Sequence, residues 1–167
     1  MRGRQPIALP PRQWLLDRFS DEGRTVRHKR SGNLCTYTAG KGRYITRFTY
    51  EGRAYRAYVH RILWKMRFGT EPYAIDHING DPLDNREGNL REANDAENQW
   101  NQRTRRDNTS GVKGLVQRGS MWYGQLQRCG VSYRTAFMSS REDAISALDK
   151  LRLELHGVFA NAGGGVP

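Results

Sequence analysis

Residues 76–98 read DHINGDPLDNREGNLREANDAEN, and this stretch decides how the rest of the chain is to be understood. It crowds carboxylate, imidazole and carboxamide groups together: Asp76, His77, Asn79, Asp81, Asp84, Asn85, Asn89 and Asn98. Oxygen donors of this kind suit a hard cation such as Mg²⁺, and a neutral imidazole beside it takes a proton from water near neutral pH. Hydrolysis of a phosphodiester needs both. The local pattern predicts a ββα unit. Tyr73-Ala74-Ile75 forms a short strand delivering Asp76 and His77 at its end, and Asn79-Gly80-Asp81-Pro82 is turn chemistry opening an ordered loop. Asn89 to Ala93 forms a second strand. Asn94-Asp95-Ala96-Glu97 then has the form of a capping box, which sets Asn98 in the first helical turn.

These residues resemble the HNH endonucleases, in the zinc-free subgroup of phage and homing enzymes, over about residues 43 to 103. The resemblance implies that Asp76 and Asn98 hold a divalent cation, Mg²⁺ or Mn²⁺. It implies further that His77 is the general base and that Asn89 bonds backbone near His77 to fix the imidazole. Double-stranded DNA is the implied substrate, nicked or cut through. His60, Arg61 and Trp64 also match the run-up to the motif, although a capping or packing role is the preferred reading of His60. Asn85 and Asn89 each read also as ordinary turn residues, Asp81 and Asp84 as loop stabilisers, and Asn101 as too far along the helix to be a first choice of ligand.

Working outward, 167 residues at 37% hydrophobic content leave little for one large core, so small modules are expected. The 28 Lys and Arg against 17 Asp and Glu give a net charge of +11, which favours a polyanionic partner. No apolar run approaches the roughly 20 residues of a membrane span, and MRGRQPIALPPRQ lacks the apolar stretch of a secretory signal. A cytoplasmic protein without a membrane partner is expected, in the host cytoplasm if phage-encoded. Cys35 and Cys129 are far apart and His28, His60, His77 and His156 are scattered, so neither a disulfide framework nor a structural zinc is expected.

Upstream, residues 1–23 read as a basic arm, mobile over residues 1–12, followed by a short helix at Trp14 to Phe19. Residues 24–59 read as a β-ribbon, with strands at 34–38, 44–50 and 54–58 and turns at Gly40-Lys41-Gly42 and Glu51-Gly52. Arg43, Arg47, Arg53 and Arg56 lie in that ribbon, either facing DNA or forming an ordinary solvated face. Val59 to Phe68 has helical spacing closed by Gly69, and Arg61 on it is a further DNA-contact candidate.

Downstream, Arg103, Arg105 and Arg106 form a basic hinge suited to phosphate. Residues 108–157 resemble the Apetala-type DNA-binding domain of plant ethylene-response factors. That resemblance implies a three-stranded sheet on one helix, reading DNA through Lys113, Arg118, Gln125, Gln127 and Arg134. Arg118 matches a base-reading arginine, whereas Val116 and Val131 replace arginines and Gln125 and Gln127 replace glutamate and arginine, so site preference should differ. On the strand centred at Trp122, alternation sends Trp122, Gly124 and Leu126 inward and Tyr123, Gln125 and Gln127 outward. Ser139 to Glu142 reads as a second capping box, and Ala144, Ala147, Leu148, Leu151 and Leu155 recur at helical spacing.

The expectation is therefore an α+β chain of small modules: arm and helix (1–23), β-ribbon (24–59), HNH ββα core (60–105), Apetala-like domain (106–160) and tail (161–167). It is expected to act as a metal-dependent DNA endonuclease, as a monomer, with cleavage chemistry surviving deletion from Arg106 onward. Two alternatives stand beside it, a DNA-binding regulator with a silent HNH fold and a nuclease of structured RNA.

Overall fold

The computed structural model describes residues 8–39, 42–101, 104 and 107–160, and the chain forms two compact units, Met1–Ala93 and Asn94–Pro167. Both mix helices with small antiparallel sheets, an α+β architecture.

In the first unit the heaviest apolar residues gather on two helices and the strands between them. Helix α1 (Arg12–Arg18) leads into a hairpin of β1 (Phe19–Asp21) and β2 (Val26–His28), then a sheet of β3 (Thr38–Ala39), β4 (Arg43–Tyr50) and β5 (Arg53–Tyr58) in that order. Glu51 and Gly52 take the left-handed conformation at φ 47° and 71°, the pair a two-residue hairpin turn requires between Tyr50 and its partner Arg53. Helix α2 (Val59–Phe68) follows without a loop and ends at Gly69, left-handed at φ 76°, whose N–H bonds Lys65 O. Val59, Ile62, Leu63 and Met66 recur at helical spacing and are buried with Leu15, Phe19, Val26 and Ala57. A separate cluster of Trp64, Ile75 and Leu90 fastens α2 to the hairpin of β6 (Ala74–His77) and β7 (Leu90–Ala93).

Two expectations change here. The strand predicted over 34–38 shrinks to β3, because the segment before it is pinned by single bonds instead of a ladder: Cys35 N–H to Val26 O, Thr25 hydroxyl to Cys35 O, and Ile45 N–H to Tyr37 O. The basic arm is docked from Leu9 onward. Leu9 is buried, its N–H donates to Glu71, its carbonyl accepts from Lys65, and Arg12 Nε donates to Met66 O.

The second unit opens with α3 (Asp95–Trp100), started by the capping box in which Asn94 accepts from Glu97 N–H while Glu97 accepts from Asn94 N–H. Strands β8 (Leu115–Arg118), β9 (Met121–Arg128) and β10 (Val131–Arg134) form an antiparallel sheet in the order β10-β9-β8, covered on one face by α4 (Arg141–His156). Gly124 and Leu126 are buried against Leu148 and Ala144. A β-carbon at Gly124 would lie 2.8 Å from Leu148 Cβ, so only glycine lets helix and sheet approach this closely. The start of α4 sits one residue later than predicted: Ser140 is the N-cap and accepts from Asp143 N–H. The short α3 is held from within this unit, since Trp100 stacks on His156 at 4.4 Å and Lys113 Nζ donates to the Gln99 and Trp100 carbonyls.

Candidate active site

The loop between β6 and β7 is ordered by its own polar side chains. Asn89, in a 3-10 turn just before β7, accepts from Asn79 N–H and donates to Asn79 Oδ1 and to Asp84 O. Asn79 in turn donates to Asp84 Oδ2, and Asp81 accepts from Leu83 N–H. Asp84 is buried and takes Arg86 on both oxygens, at 2.7 and 2.6 Å, with Arg24 at 3.6 Å. The bond to Arg86 holds its carboxyl down at about 2. A loop rich in turn residues is thereby made rigid, as a scaffold for reactive groups must be.

His77 ends β6 with its ring buried and Nε2 2.9 Å from Asn85 Oδ1. Asn85 donates its Nδ2 to Arg24 O, so its oxygen faces the ring and accepts Nε2–H. That bond leaves Nδ1 as the basic nitrogen of the neutral ring. Burial lowers the His77 pKa and the Arg43 charge adds to this, against the opposing pull of the Asn85 bond, Asp76 and Asp81. His60, predicted as a packing residue, is buried edge-on to His77 at 5.4 Å and stacked on Tyr58 at 5.5 Å. Its pKa is well below the ordinary value, from burial first and then from His77, Arg43 and Arg61. In both rings burial favours the neutral form.

Asp76 lies beside His77 in β6, buried, with Oδ2 held by Arg91 Nε at 2.9 Å and Nη2 at 2.7 Å. Arg91 is its register partner on β7. Among the described residues no group of three His, Cys, Asp or Glu side chains is arranged to hold a metal. The donor set still suits Mg²⁺, which keeps most of its waters and takes one or two carboxylates plus phosphate oxygens. It does not suit zinc, which wants a closed set of thiolates and imidazoles. Asn98, the other expected ligand, is half-buried on α3 in the second unit.

The expected DNA contacts fall into three groups. Arg47 and Arg56 are exposed and directly opposite one another on β4 and β5; Arg118, Gln127 and Arg134 are exposed, and Gln125 half-buried, on the sheet of the second unit. Arg61 and Lys113 are half-buried and bonded to carbonyls: Arg61 donates to the Pro72 carbonyl at 3.0 Å, and Lys113, bonded to α3 as above, is lowered to about 8 by burial and Arg152. Arg103, Arg105 and Arg106 lie outside the described residues. Asn89 bonds backbone on both sides of the loop, and the imidazole Nε2 is bonded by Asn85, which the sequence offered as a turn residue within the motif. Nothing in the spacing distinguished it, because the contact closes across eight residues of irregular chain. Arg91 had a legible signal: it lies opposite Asp76 in a hairpin whose ends were predicted.

The HNH endonuclease family matches residues 57–100, from the last two residues of β5 through α2 and the β6–β7 hairpin to the end of α3. "Protein 3.8" of Escherichia phage T7 is 38% identical over 107 residues, covering 60% of this chain and 86% of that protein. No solved structure matches. With a relative of that identity aligned over most of its own length, the chain belongs to the family of phage T7 Protein 3.8 and carries within it an HNH endonuclease domain.

Proposed function

We propose that this protein is a divalent-metal-dependent DNA endonuclease in which His77 is the general base. The observation that carries this reading is the neutral, buried His77 ring tied through Nε2 to Asn85, next to Asp76, inside the segment that matches HNH endonucleases. His77 Nδ1 takes a proton from the water that attacks phosphorus, and the charge the ring then carries is met by Asp76 and Asp81. Asn85 keeps the ring in one tautomer throughout, and the burial of His60 against it excludes water from the ring edge. Asp76 is the proposed ligand of Mg²⁺ or Mn²⁺ in the first unit and Asn98 the proposed ligand on α3. Such a cation supplies charge neutralisation at the phosphate and the leaving oxygen.

The open sheet of the second unit is the proposed reader of double-stranded DNA, with Arg118, Gln125, Gln127 and Arg134 on the face away from α4 and exposed Arg47 and Arg56 of the first unit adding phosphate contacts. A likeness to the Apetala-type domain rests on the strand order β10-β9-β8 covered by one helix.

The test is conversion of supercoiled plasmid by the full-length protein with Mg²⁺, with EDTA, and as His77→Ala. Cleavage is expected with Mg²⁺ only, and His77→Ala should lose roughly 10²–10⁴-fold in rate while still shifting DNA in a gel. EDTA should leave the thermal melt unchanged, since among the described residues no group of His, Cys, Asp or Glu side chains is arranged to hold a structural metal. Wild-type turnover in His77→Ala would remove the base assignment, and cleavage of structured RNA in place of plasmid would change the substrate.

A further inference from the structure

Arg43 begins β4, and its Nε is fully buried with no hydrogen-bond partner. A guanidinium donor shut away from water is strongly penalised unless something accepts from it. Among the described residues no carboxylate pairs with Arg43, and the two buried carboxylates of the site are already engaged, Asp76 by Arg91 and Asp84 by Arg86 and Arg24. The cation is nevertheless held in place. Its guanidinium lies 5.9 Å from the Tyr58 ring centre, Tyr58 stacks on His60, and His60 meets His77. A continuous chain of ring contacts therefore runs from Arg43 to the imidazole of the candidate base, and the Arg43 charge bears on both histidines.

A buried Nε–H without an acceptor, in the same ring-contact chain as a buried imidazole, calls for an anion. Lysine would serve as a point charge, but the planar fork of arginine matches two oxygens of a phosphate. We propose that Arg43 is the phosphate-binding arginine of this site, its Nε–H donating to a non-bridging oxygen of the phosphodiester under attack. The inference rests on the nuclease reading above for its substrate class, and on the orphaned donor for its place. In the step it serves, water oxygen forms a bond to phosphorus while His77 Nδ1 takes the water proton. One P–O ester bond breaks, and the departing oxygen keeps the electron pair and is protonated by solvent. The negative charge that accumulates on the non-bridging oxygens in between is what the Arg43 donor stabilises.

Two measurements on the full-length protein test this. Arg43→Gln and Arg43→Lys, each checked for an unchanged thermal melt, should lower kcat for plasmid cleavage by roughly 10²–10³-fold and by a smaller factor respectively, with KM changing less. Separately, inorganic phosphate titrated into the wild-type protein should move the Arg43 Nε–Hε NMR resonance saturably, and by more than that of exposed Arg30. Wild-type kcat in a folded Arg43→Gln would overturn the proposal, as would an Arg43 resonance that phosphate leaves in place or moves no more than Arg30. If the wild-type protein cleaves no DNA while phosphate still moves Arg43 selectively, the phosphate site stands and the nuclease reading falls.

Discussion

Asn85 uses both ends of its carboxamide, donating to Arg24 O and accepting from His77 Nε2, and is 1% exposed. Asn85→Ala should therefore slow cleavage about 10–100-fold, the usual loss when a group that orients a reactive side chain is removed, and destabilise by about 1–3 kcal/mol through its unsatisfied partners. Cleavage rate and denaturant midpoint, measured together, separate the two effects. Asn85→Asp keeps the acceptor and adds a charge that favours the imidazolium. Because the His77 pKa is lowered, mainly by burial, the neutral base persists to lower pH, and the acid limb of the wild-type rate profile should fall below 6.5. The carboxylate introduced by Asn85→Asp should move the limb to higher pH; a limb that stays put would show the ring is not titrating there. Asp84 provides the stability counterpart. Its folded pKa is about 2 against 3.8, so the stabilisation it gives is present above 3.8 and lost as pH falls toward 2. With Arg86 exposed, the loss is on the order of 1 kcal/mol, visible as a drop in denaturation midpoint between pH 5 and pH 2 that is smaller in Asp84→Asn. At this scale the residue types of the site were legible in the sequence, but their pairing was not.

Elements whose signals are local came through with small shifts. The Asn94 capping box needs only four consecutive residues, and it forms as predicted. Asn94→Ala should cost about 1 kcal/mol, read as faster amide exchange over residues 97–101. The start of α4 is displaced by one residue because two adjacent serines offer the same cap, and Ser140 has the extended backbone that a cap needs, at φ −89° and ψ 132°. The contact of β9 with α4 is a tighter constraint. Gly124→Ala places a methyl group 2.8 Å from Leu148 Cβ and Cδ1, and should destabilise by about 1–3 kcal/mol as helix and sheet are forced apart. Chemical denaturation of the variant checks this, and Leu148→Ala in the same background should recover part of the loss. The strand predicted over 34–38 failed for the opposite reason: its alternation of apolar and polar residues is real, but Cys35 is drawn into the core by Val26 and Thr25, residues remote from that window.

Across the whole chain, the helix that bears Asn98 belongs to the second compact unit, stacked through Trp100 on His156 and bonded by Lys113. Deletion from Arg106 onward removes both partners, so α3 should lose amide protection while the first unit keeps its own melting transition. The expectation that cleavage survives such a deletion changes with this, and a truncated chain retaining protected amides at 97–101 would show that α3 is held by other means. Composition and short-range pattern were enough for the α+β class, the hairpin ends at Asp76 and His77, the cap of α3 and the basic character of the chain, because each depends on neighbours a few residues apart or on composition. Folding alone decided that Asn85 holds the imidazole, that Arg61 and Lys113 bond carbonyls from half-buried positions, and that the Nε of Arg43 is buried beside Tyr58 without an acceptor. Those contacts close across irregular chain or between separate elements, and no periodicity or spacing along the sequence encodes which donor meets which acceptor.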